Sequence, residues 1–169
     1  MTTGCSNIAL AGFMGTGKST VGRLVAARLD WPFVDVDDVI EARAGCSIAA
    51  IFATEGEATF RQLEAEVCRE LAARPQHVIA TGGGALLDPT TRAAFEAHSL
   101  LVCLRADLDT IMQRVGNDPG RPLFAANQTQ LARLLAARAP VYDSLPHQID
   151  TTHRTPQQVA EEIVALWHT

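Results

Sequence analysis

The stretch GFMGTGKST, Gly12 to Thr20, stands between a short apolar run, NIALAG, and the segment STVGRLVAARL. In that segment Val21, Leu24, Val25 and Leu29 share one helical stripe. The order reads as strand, glycine loop, helix. Gly12, Gly17, Lys18 and Ser19 fit the spacing G-x-x-x-x-G-K-[ST]. Its glycines let successive N–H groups turn inward around a phosphate, and the helix adds its positive end. Lysine then reaches the β- and γ-phosphates, and the serine hydroxyl can ligate Mg²⁺. A flexible turn that happens to precede a helix is the alternative, since glycines and small polar residues are common in turns. Two features favour the phosphate cradle. The loop sits between strand and helix, and 13 of the chain's 14 basic side chains are arginine, the one lysine being Lys18. A compact charge on a flexible stem is what this position requires. The same count excludes a GTPase switch that reads guanine through Asn-Lys-x-Asp, because that motif needs a second lysine.

Outward from the loop, the chain alternates short apolar runs with helical patterns. PFVDVD, HVIATGGG, SLLVCL and, more weakly, HQIDT read as further strands. Phe60, Leu63, Val67 and Leu71 mark one helix, and Val159, Ile163, Leu166 and Trp167 mark the last. That last helix announces its start with Thr155, Pro156 and Gln158. Such alternation implies an α/β fold with a parallel sheet covered on both faces. VGNDPGRPLFAANQ, Val115 to Gln128, is too polar for a strand and too broken for a helix. It reads either as a long surface loop or as a lid carrying Arg121.

The 169 residues suit one domain, 1–169. A hydrophobic share of 47% with 20% charged residues describes an ordinary globule. The net charge of −5 argues against nucleic acid or a membrane surface as partner. Cys5, Cys46, Cys68 and Cys103 form no C-x-x-C pair, and the N-terminus has neither a basic region nor a long apolar core. Free thiols, the cytoplasm and a monomer are expected. The five histidines have no metal-ligand spacing, and Trp31 and Trp167 read as packing residues.

VDVDDVIE places Asp35, Asp37 and Asp38 at the end of the second strand, the edge where ligands of parallel sheets bind. Strand alternation would put Asp35 and Asp37 on one side, suited to a metal and an acceptor hydroxyl. Such acids can also cap and charge the following helix; that reading is preferred for Asp38, and the functional one for Asp35 and Asp37. Gly82, Gly83 and Gly84 end the third strand. Three consecutive glycines lose so much entropy on folding that a close approach to the backbone is implied, a ligand hydroxyl being one cause. Arg61 borders the buried stripe of its helix, and Arg138 precedes an expected chain break at Pro140. Singly, Arg61, Arg121 and Arg138 read as surface arginines; as a set they could fork a carboxylate and stabilise a moving phosphoryl group.

Over nearly its full length the chain resembles the shikimate kinase family. The resemblance rests on GFMGTGKSTVG, FVDVDDVIE, IFATEGEATFR, ATGGGALL, GRPLF and RAPVY. It implies an ATP-dependent phosphotransferase acting on the 3-hydroxyl of shikimate with Mg²⁺. The implied fold is that of P-loop kinases: a three-layer α/β/α sandwich around a five-stranded parallel sheet of order 2-3-1-4-5. A substrate-binding segment falls at about 36–65 and a mobile lid at about 115–128. By the same resemblance, Gly15, Thr16, Gly17, Lys18, Ser19 and Thr20 hold the ATP phosphates. Arg121 closes over them, and Arg114 and Arg154 flank adenine. Ser19 and Asp35 serve Mg²⁺, Asp35 through water. Asp37 contacts the shikimate hydroxyls as candidate base, Arg61 and Arg138 grip the carboxylate, and Gly82, Gly83 and Gly84 support the ring. Lys18, Asp37 and Arg121 are the implied catalytic set. Two departures stand out: phenylalanine ends RPLF where leucine is typical, and NDPG is inserted before it. A kinase of the same fold for gluconate or another small hydroxyacid is the nearest rival.

Overall fold

The run Asn7–Ala11 forms β1, buried along its whole length, and its alternation sorts the core into two layers. Ile8 and Leu10 point to one face, Ala9 and Ala11 to the other. A computed structural model of the chain describes residues 4–116 and 128–169. Beside β1 stand β2 (Phe33–Asp35), β3 (Val78–Ala80), β4 (Ser99–Arg105) and β5 (His147–Asp150). All pair in parallel, in the order β2-β3-β1-β4-β5. Ile8 is in register with Val78 on one side and Leu100 on the other, which puts the chemistry-bearing ends of the strands at one edge.

Helices cover both faces. On one lie α1 (Lys18–Leu29) and α7 (Pro156–Trp167), whose Val21, Val25, Val159 and Ile163 meet Ile8 and Leu10. Trp31 and Trp167 close this layer edge to face, ring centroids 5.1 Å apart. On the other face lie α2 (Val36–Ala44), α3 (Ile48–Ala72), α4 (Pro89–His98), α5 (Leu108–Gly116) and α6 (Gln128–Asp143). Their Ile40, Val67, Leu71, Phe95, Ile111 and Leu131 pack around Ala9, Ala11 and Phe13. The result is the expected three-layer sandwich. Thr155 and Gln158 form the expected capping box on α7.

Two local expectations are corrected. β2 stops at Asp35, which becomes the N-cap of α2 and accepts from Asp37 N at 3.0 Å, so Asp37 is helical and not on a strand. The chain does not break at Pro140, which lies within α6. A cost from the missing N–H is met by tertiary packing of Leu131 and Tyr142 at either side. α3 is broken at Gly56 (φ 84°, ψ 171°), a conformation open to glycine, and its second part carries Arg61 inward. Of the expected lid, Val115 and Gly116 end α5 and Gln128 opens α6; Arg121 and the rest of the segment lie outside the described residues. Among the described residues no helix is long and apolar enough to cross a membrane, and all four cysteines carry free thiols.

Candidate functional site

The carboxyl ends of the strands open into a cleft of about 820 Å³. One half of its lining is the glycine loop. Gly12 must be glycine for two reasons: its φ is 134°, and a Cβ would stand 2.3 Å from the Leu104 carbonyl of β4. Gly17 (φ 99°) caps α1 without a side chain, so the first-turn amides of Lys18, Ser19 and Thr20, which have no intrahelical acceptor to serve, face the cleft end. With the helix dipole behind them, these groups form an anion site. The Lys18 ammonium bends back over the loop and donates to Gly12 O at 2.7 Å and Phe13 O at 3.0 Å. Ser19 Oγ donates to Asp35 Oδ2 at 2.7 Å, bringing two hard oxygens together beside the loop. That pair suits Mg²⁺, which keeps most of its water and takes few protein ligands. The described residues hold no cluster of three or more His, Cys, Asp or Glu side chains that could hold a metal.

Two expected nucleotide residues sit differently from the rest. Thr16 is buried and turns its hydroxyl to Phe13 O at 2.8 Å, so its side chain braces the loop instead of lining the cleft. Arg154 pairs with Glu162 and donates to Gln158 O at 3.3 Å, outside the cleft lining. Arg114 does line the cleft, and its guanidinium is tied to Gly15 O at 3.1 Å and to Thr151 O at 2.9 Å.

The other half gathers Asp37, Arg61, Arg138 and the glycine triplet. Each glycine makes room for a polar side chain. A Cβ on Gly82 would stand 2.8 Å from Glu64 Oε2 and 3.2 Å from Asp37 Oδ1; on Gly83, 2.9 Å from Arg138 Nη1; on Gly84, 2.8 Å from Arg61 Nη1. The close approach inferred from the sequence is therefore, in this structure, to the site's own charged groups. Arg138 lies over the Phe13 ring, 5.6 Å from its centroid. Its Nε is buried and finds no partner among the described residues.

Glu64 and Tyr142 were not among the expected site residues. Glu64 is buried and accepts from Arg61 Nη1 at 2.8 Å. Burial pushes its carboxyl above the ordinary value, and the Arg61 hydrogen bond pulls the other way. The signal for it was present: Glu64 is four residues after Phe60 and three before Val67, on the buried stripe. Tyr142, four residues after Arg138 on α6, donates its hydroxyl to Gly83 O. Burial pushes its phenol up to about 12, so it remains a donor throughout the physiological range.

A sequence profile of the shikimate kinase family matches residues 14–167. The chain belongs to the shikimate kinase family. A shikimate kinase of Geobacter sulfurreducens is 45% identical over 162 residues, covering 95% of this chain and 90% of that one. The solved structure of a shikimate kinase from Acinetobacter baumannii in complex with shikimate superposes with a TM-score of 0.90. It is 36% identical and covers 97% of this chain and 93% of its own. A gluconokinase from Sinorhizobium meliloti shares the fold at a TM-score of 0.61 but only 17% identity, so that likeness speaks of fold alone. Membership of the shikimate kinase family makes the chain an ATP-dependent kinase and accounts for the ATP and Mg²⁺ expected from the glycine loop.

Proposed function

We propose that the cleft transfers the γ-phosphoryl group of MgATP to the 3-hydroxyl of shikimate, giving shikimate 3-phosphate and ADP. The observation that carries this reading is the pairing, in one cleft, of an anion-binding helix end with a carboxylate grip. Lys18 and Ser19 stand on one side, and Arg61 and Arg138 stand against Gly84 and Gly83 on the other.

The phosphates bind at the amides of Gly15 to Thr20, and Lys18 exchanges its loop carbonyls for phosphate oxygens. Ser19, and Asp35 through water, would hold Mg²⁺, which would supply charge neutralisation at the phosphates. Arg61 and Arg138 take the shikimate carboxylate as two forks. An anion there also gives the unpartnered Arg138 Nε a reason to turn, since a buried donor without acceptor is costly. Gly82, Gly83 and Gly84 support the ring, and Asp37 orients the 3-hydroxyl and takes its proton at a carboxylate oxygen as the new P–O bond forms. Arg114 serves the adenine side, and Arg154 joins it there only by leaving Glu162. Arg121, outside the described residues, neutralises charge on the transferring phosphoryl group in this proposal.

An ADP-release assay offering shikimate, gluconate and nucleoside monophosphates in turn tests this. Turnover with shikimate, at least about a hundredfold above the others in kcat/KM, is expected from a grip that leaves buried polar groups unpaired with the wrong acceptor. Turnover with gluconate alone would replace the proposal.

A further inference from the structure

Thr151, the first residue after β5, is 3% exposed and lies outside every motif that pointed to the site. Its hydroxyl is 3.0 Å from Thr16 O and 3.0 Å from Arg105 O, and it accepts from Arg114 Nη1 at 3.1 Å. Arg105 O already receives Thr151's own N–H at 2.7 Å. A hydroxyl carries one proton, so that proton is best spent on Thr16 O. The same Arg114 nitrogen donates to Gly15 O at 3.1 Å, and the other η-nitrogen to Thr151 O at 2.9 Å. Two successive carbonyls of the glycine loop are thus held from outside by one threonine and one arginine.

The consequence follows from peptide geometry. In a trans peptide the C=O and the next residue's N–H point in opposite directions. Fixing Thr16 O toward Thr151 therefore aims the Gly17 N–H the other way, and it is Gly17, not Thr16, that lines the cleft. Gly17 has a φ of 99° and no side chain to hold it, so this outside contact supplies the restraint that its own backbone lacks.

We infer that Thr151 is a positioning residue for nucleotide binding: its hydroxyl, with Arg114, sets the orientation of the Thr16–Gly17 peptide before the phosphates arrive. This rests on the reading of the loop as the ATP phosphate site. It assigns Thr151 no contact with the nucleotide.

Thr151→Val keeps the shape and removes the hydroxyl. In the shikimate-dependent ADP-release assay its KM for ATP is expected to rise by about five- to fiftyfold, with the KM for shikimate within about twofold of the parent. Thr151→Ser, which keeps the hydroxyl, is expected to restore the KM for ATP to within about threefold. The Gly17 amide resonance should move in Thr151→Val and return in Thr151→Ser. If Thr151→Val does not fold, Thr151→Ala replaces it and is read against Thr151→Ser, because both lack the γ-methyl and only serine keeps the hydroxyl. An unchanged KM for ATP, or an equal rise for both substrates, would overturn the inference. Parent protein that fails to turn over shikimate would instead remove the functional proposal on which it rests.

Discussion

Arg61 and Glu64, three residues apart on α3, form an ion pair of 2.8 Å in which the carboxylate is 5% exposed and the guanidinium 35%. Glu64 therefore cannot turn to water, and it holds Arg61 beside Gly84 at the cleft wall. Removing its charge while keeping its shape, as in Glu64→Gln, should raise the KM for shikimate by about tenfold, because a charge-assisted contact that sets the fork is lost. The KM for ATP should not change. Equal KM values for shikimate in variant and parent would show that Arg61 needs no such support.

The same substitution separates function from stability. The folded state raises the Glu64 pKa, chiefly by burial, so it binds the proton more tightly than the unfolded chain does. Ionisation then works against folding as pH rises above the ordinary 4.5. At pH 7 Glu64→Gln should have a Tm equal to or above that of the parent. A Tm several degrees lower would mean that the ion pair outweighs its desolvation.

Gly83 leaves no space for a Cβ, which would sit 2.9 Å from Arg138 Nη1. Gly83→Ala should displace that guanidinium, the far end of a flexible side chain, and raise the KM for shikimate by about tenfold or more with little loss of stability. An ADP-release assay with varied shikimate, and a urea melt of the variant, check both.

Lys18 is the chain's single lysine, which makes it addressable by chemistry. MgATP should slow its modification by a lysine-directed reagent at least about tenfold, since the ammonium then engages phosphate. Shikimate alone should not slow it. Peptide mapping reads the result, and equal labelling with and without ATP would contradict the phosphate role of the loop.

Asp88 caps α4 through Thr90 N, Thr91 N and Thr91 Oγ1. Those bonds, the Thr91 side chain first, hold its carboxyl below the ordinary 3.8. The sign is opposite to that of Glu64: the stabilisation is present above the unfolded value and is lost as pH falls through the depressed one. Asp88→Ala should cost about 1 kcal/mol at neutral pH, with the difference from the parent narrowing below pH 3.8. Urea melts at neutral and acid pH measure this.

The phosphate loop was legible because its chemistry depends on contiguous residues, and Lys18 and Ser19 stand where their spacing puts them. The alternation of strands and helices was legible too, but the strand order came from family resemblance, since nothing in a strand's own residues names its neighbour. β2 was read too long because VDVD alternates like a strand; the competing tendency of Asp35 to cap a helix prevailed at once. Pro140 was read as a break because proline costs helix interiors, and tertiary packing outweighed that local rule. Glu64 and Thr151 were missed for one shared reason. Each acts by touching another residue, Arg61 or Thr16, that is distant in role though not always in sequence, and neither belongs to a chemical motif.

The central claim is that a phosphate cradle and a carboxylate grip share one cleft in order to phosphorylate shikimate. Phosphorus NMR of the parent protein with MgATP and shikimate tests it most directly. Equimolar ADP and a phosphate monoester coupled to the proton on carbon 3 of shikimate are expected. ATP left intact in the presence of shikimate, or a phosphate on any other hydroxyl, would contradict the account.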